Sequence, residues 1–111
     1  METIIKFYFN SIDEELEFLS NGDLWTKYFS SKVVVRAAEM VHKSQMFMES
    51  FEEVRKSSVY PSIKKATSIL FNAFLRLAGS NDAPDAKMAL FLKAHKEFNQ
   101  LKEDILKEIQ S

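Results

Sequence analysis

Apolar residues recur three and four positions apart along nearly the whole chain, and that spacing predicts helices. In the first segment Ile12, Leu16 and Leu19 share one helical face between Ser11 and Ser20, and Ser11 followed by Glu14 has the form of a capping box. The preceding Ile4-Ile5-Lys6-Phe7-Tyr8-Phe9 has the β-branched and aromatic content of a strand. The chain offers no second convincing strand to pair with it, and a lone strand is not stable. This stretch is therefore expected to extend the helix back toward Thr3 or to lie as an apolar arm on the bundle.

Asn21-Gly22 ends that segment, with Gly22 suited to a left-handed C-terminal position and Asp23 placed to cap the second helix. That helix is expected over roughly Asp23 to Ser57, with a bend near Ser30-Ser31. Its stripe of Val33, Ala37, Met40, Ser44, Phe47, Phe51 and Val54 alternates steps of four and three, the seam of a bundle. Pro61 pushes Tyr60 out of the helical region and so predicts a turn there. The third helix then runs from Pro61 or Ser62 to Ala78 and is closed by Gly79. Ile63, Ala66, Leu70, Ala73, Phe74 and Leu77 form one of its faces, and Ile69, Phe71, Leu75 and Ala78 a second, so it is expected to be covered on most sides. After the polar loop Ser80–Asp85, where Asp82 can cap, a fourth helix reaches about Ile109 on a stripe of Met88, Phe91, Ala94, Phe98, Leu101 and Ile105.

Composition sharpens this picture. Two glycines and two prolines in 111 residues are far below the roughly one dozen that average usage would supply. Turn-rich sheet folds draw on both residue types, so the chain is predicted to be an all-α, up-and-down antiparallel bundle of about four helices. Three are long, the N-terminal one is shorter, and residues 1–111 form one domain. A hydrophobic fraction of 46% excludes intrinsic disorder. A formal charge of -1 speaks against a general nucleic-acid-coating role and against a polybasic membrane anchor. The chain has no cysteine, hence no disulfide framework and no zinc–thiolate site. The acidic Asp13, Glu14 and Glu15 do not suit a secretory leader, and no apolar run reaches membrane-spanning length. A cytoplasmic location is expected.

Candidate chemistry is sparse. Arg36 and His42 lie six residues apart on the second helix. A helix-borne pair with this spacing resembles the motif of HEPN-type ribonucleases, which are small all-helical dimers. The resemblance implies that His42 would act as acid or base on an RNA phosphodiester while Arg36 held the developing charge. It covers seven residues. It departs from the family in having Ala37 where a polar residue usually follows the Arg, and in lying early in the chain. Glu39 and His42 also form the Glu-x-x-His pair used by di-iron bundles, but the second pair is missing because Leu92 precedes His95 by three. His95, among Phe91, Leu92 and Phe98, reads as a core-edge histidine. After His42 the chain lacks the glycine that phosphotransfer domains present to their partners, and it lacks a phosphate-cradling glycine loop and a nucleophile elbow. No metal, cofactor or small-molecule substrate is signalled.

The positive signal is apolar excess. Phe7, Tyr8, Phe9, Trp25, Tyr28 and Phe29 crowd the N-terminal third, and a 111-residue bundle has limited interior. These six residues are expected to form a partner surface, where aromatics are enriched. The expected function is a non-enzymatic protein–protein interaction module: an adaptor, an immunity or antitoxin-like protein, or a phage-encoded inhibitor of a host machine. A homodimer is the simplest way to bury the excess. The alternative is a ribonuclease or nucleic-acid-binding helical dimer using Arg36 and His42.

Overall fold

Why four long amphipathic segments close into one core is visible in a computed structural model that describes residues 1–20 and 31–110. The described residues are 87% helical and contain no strand. Helix α1 spans Glu2–Leu19, α2 Ser31–Glu49, α3 Glu52–Arg55, α4 Tyr60–Ala78 and α5 Pro84–Gln110. The all-α bundle is as expected, with one extra helical turn, α3, but the N-terminal helix is not the short one: α1 has 18 residues against 19 in each of α2 and α4. The Ile4–Phe9 stretch is helical, and α1 begins well before Ser11. Ser11 is therefore an interior residue rather than a cap, and its hydroxyl donates to the Phe7 carbonyl at 3.0 Å.

The second helix is shorter than its stripe implied. It stops at Glu49, where the Ser50 amide hydrogen-bonds both the Met46 and Phe47 carbonyls. Phe51 then takes an extended conformation, with φ -95 and ψ 116, before α3 restarts the helix for one turn. Asp23 and the expected bend at Ser30-Ser31 lie outside, or at the edge of, the described residues. At the start of α5, Pro84 occupies the first helical position, where a missing N–H costs nothing. Asp82 does not cap there; its amide instead donates to the Ser80 hydroxyl at 3.0 Å.

Helix α4 is the centre of the packing and lies against both α2 and α5, while α1 lies against α2 and α5. Contacts such as Glu49 with Tyr60, and Phe71 with His42, run antiparallel along α2 and α4. The described residues measure 42 × 23 × 19 Å. Its core holds Ile5, Tyr8, Phe9, Ile12 and Leu16 of α1, and Val34, Ala37, Ala38, Val41 and Met48 of α2. From α4 and α5 come Ile63, Leu70, Phe74, Leu77, Phe91, Phe98 and Ile105. Each such large side chain contributes about 1.5–3 kcal/mol by leaving water. The first face predicted for α4 is buried in full, whereas Leu75 of the second is 51% exposed. On α2 the buried face is rotated by about one residue from the predicted stripe: Val33, Met40 and Ser44 lie at its edge and Phe47 is exposed.

Candidate apolar interaction surface

The six aromatic residues expected to form one surface do not do so. Tyr8 and Phe9 are instead core side chains, at 1% and 2% exposure. On a helix, three consecutive residues are turned by about 100° from one another, so Phe7, Tyr8 and Phe9 cannot share a face. Tyr8 reaches across the bundle to a buried hydroxyl, that of Thr67 on α4. Phe9 packs on Phe98 with ring centroids 5.7 Å apart. Only Phe7 of the three stays in solvent, at 59% exposure. Trp25, Tyr28 and Phe29 lie outside the described residues.

Exposed apolar surface is nevertheless present, and it gathers around α2. Of the seven large hydrophobic residues exposed among the described ones, Val35, Met46 and Phe47 are on α2, and Phe7 and Leu75 lie against it. Met1 and Leu92 are the remaining two. Two depressions hold this surface. Between α2 and α4 runs a groove of about 260 Å³ lined by Val35, Ala38, Glu39 and His42 on one side and by Phe71, Phe74, Leu75 and Ala78 on the other. The His42 ring sits 6.2 Å from that of Phe71. On the opposite flank, between α1 and α2, Phe7 stands 5.7 Å from Phe47, which in turn meets Phe51 edge-on at 5.3 Å. A smaller cleft of about 180 Å³ opens there beside Lys43 and Ser44.

Spacing explains why these side chains are left outside. The buried stripe of α2 runs through Val34, Ala37, Ala38, Val41 and Met48, and the larger Val35 and Phe47 fall to either side of it. Sequence reasoning missed Val35, Met46 and Leu75. The second apolar face of α4 was the signal that could have found Leu75.

Arg36 and His42, the pair with ribonuclease-like spacing, line different depressions. His42 belongs to the α2–α4 groove, while Arg36 lies with Glu15, Val33 and Met40 on the α1 flank. The structure does not bring them together within one chain. Glu39 and His42 do share the groove, but no cluster of three metal-ligating side chains exists among the described residues.

Two polar networks border the core. Glu49 accepts hydrogen bonds from Gln45 at 2.8 Å and from the Tyr60 hydroxyl at 2.7 Å. Partial burial pushes the Glu49 carboxyl up, but those two bonds and the charge of Lys64 outweigh it and hold the carboxyl below its ordinary range. Tyr60, bonded to that carboxylate, is raised. Across α1 and α5, Lys102 bonds Asp13 at 2.8 Å, beside a half-buried His95 whose ring is tilted against that of Phe91 with centroids 5.6 Å apart. Burial holds the His95 imidazole below its ordinary pKa, with Asp13 opposing and Lys102 reinforcing. Neither network carries a nucleophile set against a base. No described helix is long and apolar enough to cross a membrane. No protein-family model, no curated protein and no solved structure matches this chain.

Proposed function

We propose that this chain is a non-enzymatic protein–protein interaction module that works through the apolar surface flanking α2. The observation that supports the reading is the pairing of exposed large side chains across helix seams: Val35 with Leu75 on one flank, Phe7 with Phe47 on the other. Single exposed hydrophobics are ordinary, but contiguous ones beside a preformed groove are the mark of partner surfaces. An adaptor, an immunity or antitoxin-like protein, or a phage-encoded inhibitor of a host machine would all act this way.

Affinity capture tests the reading. Wild-type chain immobilised in a host lysate should retain a defined partner, or exchange with its own copies, and Leu75→Glu should lose that retention while keeping its helical circular dichroism. Equal retention by both forms would refute the surface. The competing ribonuclease activity would be revealed by RNA cleavage that disappears in His42→Ala.

A further inference from the structure

The order of side chains along the outward face of α2 is self-complementary when reversed. Val34, Ala37, Ala38, Val41 and Met48 point inward, which leaves Arg36, Glu39, Lys43 and Met46 facing out, with Phe47 at the α1 edge and Val35 at the α4 edge. All six of these residues are exposed. Read from the N-terminus, the face runs cation, carboxylate, cation, then apolar side chains. We infer that the occupant of this face is a second copy of the same chain, docked antiparallel about a two-fold axis that passes α2 at the level of Val41. The inference rests on the interaction-module reading and specifies its partner.

In that arrangement the axis lies in the plane of contact, so each edge of α2 meets the same edge of its counterpart with the direction reversed. Glu39 of each copy comes beside Lys43 of the other, which makes two ion pairs from one symmetric contact. Arg36 comes beside Phe47 of the second copy, next to the exposed ring of Phe7, where a guanidinium can lie on an aromatic face. Met46 of one copy meets the groove between Val35 and Leu75 of the other. Its unbranched, polarizable side chain suits an irregular apolar slot. Val35 and Met46 are separated by eleven positions, or roughly 16 Å of helix, so both apolar ends engage at once. Neither Glu39 nor Lys43 forms an ion pair within the chain among the described residues.

Charge reversal tests both the partner and the register. Sedimentation equilibrium on the full chain should give a dimer for wild type. Glu39→Lys and Lys43→Glu should each weaken it by about tenfold or more, because two attractive contacts become two repulsive ones. The double variant Glu39→Lys/Lys43→Glu should return to within a few-fold of wild type. Helical circular dichroism of all three variants should be unchanged, since both positions are exposed. A wild type that stays monomeric at hundreds of micromolar overturns the inference, as does a dimer indifferent to single reversal or not restored by the double. Partner capture that is lost in Leu75→Glu while the wild type is monomeric would keep the module reading and remove only the second copy.

Discussion

Tyr8 and Thr67 meet in the interior, 59 positions apart in sequence, through a hydroxyl–hydroxyl hydrogen bond. Thr67 already donates its one proton to the Ile63 carbonyl at 2.9 Å, so Tyr8 is the donor between the two. This places the polar end of a core ring where it is satisfied, and no buried side-chain nitrogen or oxygen is without a partner among the described residues. The asymmetry makes a prediction. Thr67→Val strands the Tyr8 hydroxyl and should cost about 1–3 kcal/mol, whereas Tyr8→Phe leaves Thr67 bonded to Ile63 and should cost less. The double variant should cost less than the sum of the singles, as read from chemical denaturation in a double-mutant cycle.

The same burial sets an alkaline limit on the fold. Removal from water pushes the Tyr8 phenol up to about 12 from the ordinary 10.0, and the nearby Glu49 charge adds to the rise. The folded state therefore holds the phenol proton more tightly than the unfolded chain does. Its contribution is complete below pH 10 and is lost as pH rises through 12, to a total of about 2–3 kcal/mol. Denaturation midpoints of wild type should fall across this window more steeply than those of Tyr8→Phe. Parallel curves would contradict the assignment.

Two rings close together on one helix should behave as opposites. Phe9 is buried against Phe98, and Phe9→Ala should lower stability by about 3–5 kcal/mol. Phe7 is 59% exposed, and Phe7→Ala should shift stability by about 1 kcal/mol or less. Thermal melts of the two variants decide this, and a large loss from Phe7→Ala would show that its ring belongs to the core.

His95 gives an acid-side prediction. Because burial holds its pKa below the ordinary 6.5, the unfolded chain takes up the proton first. The stabilisation it provides is present above pH 6.5 and is lost as pH falls through the lowered folded value. His95→Gln should flatten the stability profile below pH 6.5 relative to wild type, and an unchanged slope would show that the histidine does not set it.

Much of the fold was legible because α4 and α5 obey the simplest rule. Spacing groups Ile63, Ala66, Leu70, Ala73, Phe74 and Leu77, and all are buried; of the α5 stripe Phe91, Ala94, Phe98 and Ile105 are buried while Met88 and Leu101 are half-buried. Helix α2 was less legible. Val33, Met40 and Phe47 repeat every seven residues and look like a core seam, yet the buried face runs through Val34, Ala37, Ala38, Val41 and Met48, and those three fall on its flank. The break at Ser50–Phe51 carries no glycine or proline to announce it. Aromatic content points to the neighbourhood of Phe7, but it cannot separate Phe7 from Tyr8 and Phe9, because their fates depend on Thr67 and Phe98, far along the chain.

If the apolar side chains beside α2 serve association rather than folding, one variant separates the two roles. Leu75→Glu places a charge on the lip of the α2–α4 groove at a position that is half in solvent. Sedimentation equilibrium should show wild type associating reversibly above its monomer mass of 12.9 kDa and Leu75→Glu remaining at that mass, with melting temperatures within a few degrees of each other. Unchanged association would contradict a role in association, and a variant that loses its fold would show that Leu75 serves folding instead.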